Sequence, residues 1–115
     1  MRFPQLETLL RYLEDYEVVL KQRIYEWRQR KGKRTQLLYE GLILQDKMEI
    51  SVCKRNSLDD RARILLHELL HIRYPERSER DILKTEEGMW MKLGHLQKEA
   101  LKSYVIEEKE EESDV

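Results

Sequence analysis

The segment His67-Glu68-Leu69-Leu70-His71 carries the residue types and the spacing that are most suited to chemistry. On a helix, residues four apart lie one turn above each other on the same face, so both imidazoles can reach one metal ion. Glu68 lies about 100° around such a helix from His67, where its carboxylate can act on a metal-bound water without being a ligand. Two nitrogen ligands, a third ligand, an open position for water and a carboxylate base are the requirements of a zinc hydrolase.

The apolar pattern around this segment predicts a helix that is buried on both sides. One face of the helix is apolar and consists of Leu58, Ala62, Leu65, Leu66, Leu69 and Ile72. His67 and His71 lie on the other side, where Ile64 is a neighbour. We therefore expect the two histidines to line an interior cleft. The alternative is a surface helix on which two histidines and a glutamate are incidental.

A third ligand is expected from the following helix, and Glu86 is the predicted one. The apolar face of that helix consists of Ile82, Leu83, Met89, Trp90, Leu93 and Leu96. Glu86 falls at the centre of this face, where a carboxylate is costly unless it is paired or bound to metal. A salt bridge to Lys or Arg is the alternative for Glu86. Glu87 and Glu79 remain open as ligands, because the helix phase read from a sequence can slip.

Four other residues have side chains capable of chemistry, but the sequence assigns none of them a role. His95 is expected to face solvent, since it falls on the far side of the helix from Glu86. Tyr74 and Tyr104 are candidates to donate a hydrogen bond to a tetrahedral intermediate, but ordinary half-buried tyrosines have the same pattern. Cys53 lies on the polar phase of its predicted strand and has no partner base.

Composition indicates a soluble single domain. The chain has 115 residues, and its 22 Lys and Arg residues nearly balance 23 Asp and Glu residues. This balance excludes a strongly basic surface for nucleic acid or an anionic membrane as the general explanation. The single cysteine cannot form an internal disulfide, which is typical of a reducing compartment. Since no apolar stretch approaches the roughly 20 residues that span a bilayer, we expect a cytoplasmic protein.

The N-terminal part of the chain is predicted to be one long helix. Apolar residues recur at steps of three and four, at Leu6, Leu9, Leu10, Leu13, Tyr16, Leu20, Ile24 and Trp27. The helix should end within residues 28–34, because Gly32 offers a stop and cations favour a helix C-terminus. No aromatic residue lies between the five cations of this segment, so nucleic acid is not an expected partner.

Residues 35–54 are predicted to form two or three antiparallel strands. Two short apolar runs, Leu37-Leu38-Tyr39 and Leu42-Ile43-Leu44, have the length of strands. After a turn at residues 45–47, apolar and polar residues alternate, which is typical of a strand with one buried face. Its apolar members are Met48, Ile50 and Val52, and its polar-phase members are Glu49, Ser51 and Cys53.

Two later helices are marked by their first residues. Ser57 with Asp60, and Ser78 with Asp81, have the spacing of a capping box. Pro75 ends the first of these helices, because proline cannot continue the hydrogen-bond ladder.

The predicted fold is α+β: a long N-terminal helix, a small antiparallel sheet, a helix with the histidines and a helix with the glutamate. The glutamate helix is predicted to run at least to Leu93, with Ile106 as its furthest end. Residues 1–106 then form a single domain. Residues 107–115 are mostly acidic and too charged to pack, so they are predicted to form a solvated tail.

This layout, together with the His-Glu-x-x-His segment and a downstream glutamate, resembles the gluzincin-type zinc metallopeptidases and, in its small size, the minigluzincins of archaea. The resemblance implies that His67, His71 and Glu86 bind one zinc ion per chain. Glu68 would then be general base and general acid, and a peptide or protein would be the substrate. The chain lacks a clear Asn-Glu-x-x-Ser-Asp sequence around the glutamate, which is a departure from the larger gluzincins.

The sequence thus predicts a small zinc metallopeptidase with a minimal zincin-like domain. The resemblance adds homo-oligomer formation or self-inhibition, with the acidic tail as a candidate inhibitor, to the expectations. One alternative is a catalytically silent regulatory or protein-interaction domain that contains zinc. Another is a helical interaction or nucleic-acid module in which the motif arises by chance and no metal binds.

Overall fold

A computed structural model describes residues 3–22, 24–30, 33–39 and 41–107 of the chain. The helices are α1 (Leu6–Leu10), α2 (Leu58–Arg73), α3 (Glu79–Lys92) and α4 (His95–Ser103). The strands are β1 (Glu17–Lys21), β2 (Ile24–Arg30), β3 (Lys33–Tyr39), β4 (Gly41–Leu44) and β5 (Glu49–Cys53). The predicted α+β class is confirmed. In this part of the chain, no helix combines the length and the apolar character needed to cross a membrane.

The predicted long N-terminal helix is wrong. The helix ends at Leu10, a 3-10 turn follows at Arg11–Glu14, and the chain then enters β1 and β2. Val18 and Val19 in β1 are β-branched and favour a strand over a helix. The apolar residues therefore keep a helical spacing across four separate elements, namely α1, the 3-10 turn, β1 and β2. Leu6 and Leu9 are nevertheless buried in the core, as the apolar pattern predicted.

The described cations of the segment that was expected to end this helix lie instead in two paired strands, β2 and β3. β2 and β3 pair antiparallel, with Ile24 opposite Tyr39 and Arg30 opposite Lys33. Gly32, the predicted helix stop, lies outside the described residues. The reason for the error is local, because the cations that favour a helix C-terminus are equally compatible with a pair of strands.

The second sheet has three strands in the order β1-β5-β4. β5 pairs antiparallel with β4, which confirms the predicted antiparallel strands in this region. It pairs parallel with β1, so the sheet is mixed and not purely antiparallel as predicted. β1 comes from a segment that was predicted to be helical, and its partner lies far along the chain, where local patterns give no indication of pairing.

The central strand β5 is buried on both faces, which corrects the prediction of one buried face. Ile50, Ser51 and Val52 are fully buried, and Cys53 is 8% exposed. The Cys53 thiol lies 3.5 Å from the carbonyl oxygen of Gln22. β5 has a neighbouring strand on each edge, and both of its faces are covered. Ser51 therefore lies inside the core, and the alternation of apolar and polar residues does not indicate which residues of β5 are exposed.

The two long helices begin where the sequence predicted. The Ser57 hydroxyl accepts a hydrogen bond from the Asp60 backbone at 3.2 Å, and Ser78 accepts one from Asp81 at 3.2 Å. α2 ends at Arg73, just before Pro75. α3 ends at Lys92, and the chain up to Ser103 forms the separate helix α4 rather than one continuous helix.

α2 is the helix around which the core is built. Its fully buried residues are Ala62, Leu65, Leu66, Leu69 and Leu70. They pack with apolar residues of the other elements, namely Leu6, Leu9, Ile50, Val52, Ile82, Met89, Leu101 and Val105. The predicted apolar face of α2 is therefore confirmed over most of its length, with Leu70 as an additional core residue. One face of α2 is fixed by packing, and the opposite face is left for the histidines.

Strand β4 passes close to α2 at Gly41. A Cβ atom added at Gly41 would lie 2.7 Å from Cγ2 of Ile64 and 3.0 Å from Oε1 of Glu68. Glycine permits this close approach of a strand to a helix. β4 thus lies directly beside the predicted catalytic glutamate.

We expect Gly41→Ala to lower the free energy of unfolding by about 1–3 kcal/mol, because the new methyl group overlaps the Ile64 side chain. Thermal or urea unfolding measures the loss. Ile64→Ala removes the overlapping group, so adding Gly41→Ala to that variant should cost less than adding it to the wild type. Equal costs in both backgrounds would contradict the close packing of β4 on α2.

Candidate metal centre

His67 and His71 present the same ring nitrogen to one point. Their Nε2 atoms are 3.2 Å apart, and the ring centroids are 4.9 Å apart. Two nitrogen ligands of a tetrahedral zinc ion, each bound at about 2.0–2.1 Å, are separated by about 3.3 Å. The one-turn spacing on α2 therefore places the two imidazoles at the separation that a shared metal ion requires.

Glu79 completes a group of three potential ligands. It lies in the first turn of α3, and its two carboxylate oxygens are 2.5 Å from Nε2 of His67 and 2.8 Å from Nε2 of His71. The ligating atoms of the three residues lie within 4.8 Å of one another. The Glu79 side chain is 71% exposed, so the group opens to solvent. Glu79 was one of the alternatives that the sequence left open.

Glu86, the predicted third ligand, lies on the opposite side of the His67 ring. Its Oε1 atom is 3.2 Å from Nδ1 of His67, whereas Oε2 accepts hydrogen bonds from Nε and Nη2 of Arg63 at 2.9 and 2.5 Å. The side chain is only 8% exposed, so its predicted burial is correct. The salt bridge to a cation, the alternative reading of its sequence position, is present. Glu87 is exposed and is not a member of the group.

The contact between Glu86 and His67 fixes which ring nitrogen carries a proton. Burial raises the pKa of Glu86, but hydrogen bonds from His67 and Arg63 outweigh burial and leave that pKa below its ordinary value. Glu86 is therefore ionised at neutral pH and can only accept hydrogen bonds. In the neutral imidazole, Nδ1 of His67 is therefore the donor, which leaves Nε2 without a proton and able to bind a metal. Carboxylates commonly orient metal-binding histidines in this way.

The electrostatics of His67 reflect the same two carboxylates. Burial lowers the pKa of the imidazole, but the hydrogen bond to Glu86 and the interactions with Glu79 outweigh it, so the pKa is raised overall. The carboxylates thus favour a positive charge at this site. The same negative charges would stabilise a metal cation.

Glu68 is half-buried beside the histidines and next to β4. Burial raises its pKa to about 7, an effect that the positive charge of His67 opposes and the negative charge of Glu79 reinforces. A carboxyl group with a pKa near neutrality can both accept and release a proton at the pH of a cell. In the metal-free fold, Glu68 can therefore exchange a proton near neutral pH.

The structure places the remaining candidate residues in other surroundings. His95 is exposed at the start of α4, as predicted. The Tyr74 ring lies under the Arg77 guanidinium at 3.8 Å, and Tyr104 faces a groove beside β1. Cys53 is buried in β5, whereas its position in the sequence indicated the polar face.

Sequence reasoning missed Arg63. Its position four residues before His67 placed it on the same helical face as the histidine, and that was the one available signal. Nothing in the spacing paired it with Glu86, because that pairing depends on how α2 and α3 pack.

Comparison of the chain with protein families, with curated proteins and with solved structures finds no match. The resemblance to gluzincins therefore stays a prediction. The case for a metal site depends on the geometry of His67, His71 and Glu79 and on the chemistry of this donor set.

Glu68 should make the stability of the chelator-treated protein depend on pH. Since its pKa rises from 4.5 in the unfolded chain to about 7 in the fold, it contributes stability at low pH that is lost as the pH rises through this interval. We expect Glu68→Gln to raise the melting temperature more at pH 8 than at pH 5, relative to wild type. Thermal unfolding in EDTA measures this, with the exposed Glu87→Gln as control. An equal effect of Glu68→Gln at both pH values would contradict the raised pKa.

Proposed function

We propose that this protein is a small zinc-dependent peptidase, in which His67, His71 and Glu79 hold the metal and Glu68 is the general base. The observation that carries the proposal is the convergence of two imidazole nitrogens and a carboxylate beside a half-buried carboxyl group. A zinc ion in such a site polarises water and a carbonyl group, which is the activation that amide hydrolysis needs. Glu79 replaces Glu86 as the proposed third ligand.

The donor set favours a catalytic site over a structural one. Structural zinc sites are closed by four protein ligands, whereas catalytic sites have three and keep a position open for water. Among the described residues, the group contains three ligating side chains, and Glu79 is exposed. Two histidines and one carboxylate form a typical ligand set of zinc peptidases.

Glu68 carries the proton transfers. As general base, its carboxylate would accept the proton of the attacking water and return it to the nitrogen of the leaving amine. It neighbours His67 in the chain but does not belong to the group of ligands. Glu86 and Arg63 act behind the site, where Glu86 keeps His67 oriented through Nδ1.

The neighbouring sheet suggests how a substrate is held. Among the described residues, β4 pairs only with β5 and lies at the edge of its sheet. Gly41 at its start lies against Glu68. An extended polypeptide that pairs with this edge would pass the proton-accepting group. The proposed substrate is therefore an extended segment of a peptide or protein.

We expect about one zinc ion per chain in the wild-type protein, and strong loss of zinc in His71→Ala and Glu79→Ala. Elemental mass analysis and competition with a chromogenic chelator measure content and affinity. Glu87→Gln is the matched control, because this carboxylate is exposed on the same helix. Wild-type affinity in Glu79→Ala would contradict the assignment of Glu79, and absence of zinc from the wild type would contradict the metal centre.

Glu68→Gln should bind zinc as the wild type does but lose peptide hydrolysis by about 10²–10⁴-fold, since the amide cannot accept the proton. A mixed peptide library analysed by mass spectrometry serves as substrate, because it tests many sequences at once. Glu87→Gln, prepared in the same way, is the control. Zinc binding without hydrolysis in the wild type would favour the catalytically silent zinc domain instead.

A further inference from the structure

Arg63 links the buried glutamate to the histidine pair. It lies on α2 one turn before His67, and its Nε and Nη2 atoms both donate to Oε2 of Glu86. The other oxygen of Glu86 faces Nδ1 of His67. A single carboxylate is thus shared between a guanidinium and an imidazole on the same helix, and each takes one of its oxygens.

This division of the two oxygens fixes the orientation of the carboxylate. A carboxylate held only by His67 could rotate about its terminal bond and exchange its oxygens, because rotation about such a bond is broad. Two donors on one guanidinium hold Oε2 in place, and Oε1 must then point at Nδ1. Arg63 itself is restrained, since its guanidinium lies 5.9 Å from the centre of the Trp90 ring.

We propose that Arg63 is a positioning residue of the metal centre: by fixing Glu86, it holds the His67 ring so that Nε2 faces the other two ligands. The inference rests on the proposed function, because it concerns the same zinc site. Partners of metal-binding histidines typically change metal affinity by about 10–100-fold when they are removed. Arg63 acts one step further out, because its hydrogen bonds go to Glu86 and it is not a member of the ligand group.

A purely structural role for the pair is the competing explanation, since Arg63 and Glu86 also join α2 to α3. Such a role would lower the stability of the protein and reduce zinc binding only as far as the fold is lost. A positioning role would reduce zinc affinity in protein that is fully folded. It would also alter the imidazole signals of His67, because the position of the ring proton depends on Glu86.

The test compares Arg63→Met with Arg63→Lys and with the control Arg55→Met, an exposed arginine in the turn before α2. Zinc affinity is measured by chelator competition, folding by thermal unfolding in EDTA, and the His67 ring protons by long-range ¹H–¹⁵N correlation. We expect about 10-fold weaker zinc binding in Arg63→Met, an intermediate value in Arg63→Lys and no change in Arg55→Met. In a Glu86→Ala background, Arg63→Met should cause no further loss.

The outcomes separate this inference from the function on which it rests. A wild-type protein that binds no zinc overturns the metal centre and the role of Arg63 together. If Arg63→Met binds zinc with wild-type affinity and its His67 signals are unchanged, only the positioning role is overturned. If Arg63→Met weakens zinc binding equally in the wild-type and Glu86→Ala backgrounds, the positioning role is also overturned, since Arg63 would then act without the Glu86 carboxylate. If Arg63→Met does not fold, Arg63→Lys supplies the same comparison.

Discussion

The contact of the buried Glu86 carboxylate with Arg63 and His67 is the constraint on which the rest of the site depends. An ionised carboxylate inside a core is costly unless charged donors surround it, and here a guanidinium and an imidazole supply them. Both donors lie on α2, so the carboxylate fixes α3 against α2. Glu79 lies two turns earlier on α3 and consequently reaches His67 and His71 at their Nε2 atoms. The two helices run antiparallel, because Glu86 contacts the earlier residues of α2 and Glu79 the later ones.

The same helix serves the core and the site because its two faces are built differently. Residues such as Leu65, Leu66 and Leu69 are fully buried and hold α2 in place. Glu68 lies between the histidines and the edge strand β4, where burial opposes its ionisation. This placement reduces the stability of the fold at neutral pH. A helix with a fully packed apolar face tolerates such a group, and proteins commonly accept this cost at sites that need unusual acidity.

Local sequence signals predicted those features of the fold that depend only on residues close together in the chain. Ser57 and Ser78 begin their helices as expected, and the His67–His71 spacing brings two nitrogens together, since both follow from helix geometry alone. β1 was missed because its pairing with β5 involves distant residues and its apolar spacing imitates a helix. The third ligand was assigned to Glu86 because its burial was read as a sign of metal binding. Burial was correct, but Arg63 accounts for it, and no local pattern indicates which carboxylate of α3 faces the Nε2 atoms.

Glu68 also bears on the choice between a peptidase and a catalytically silent zinc domain. A structural site needs ligands, and His67, His71 and Glu79 would supply them without any help from Glu68. Such a site gains nothing from a carboxyl group held beside it at a pKa of about 7 and against the close approach of Gly41. A hydrolase uses both features, because a proton acceptor must lie near the ligands and a substrate must pass it along an open edge. The position and the acidity of Glu68 are therefore what favours the proposed peptidase over the silent domain.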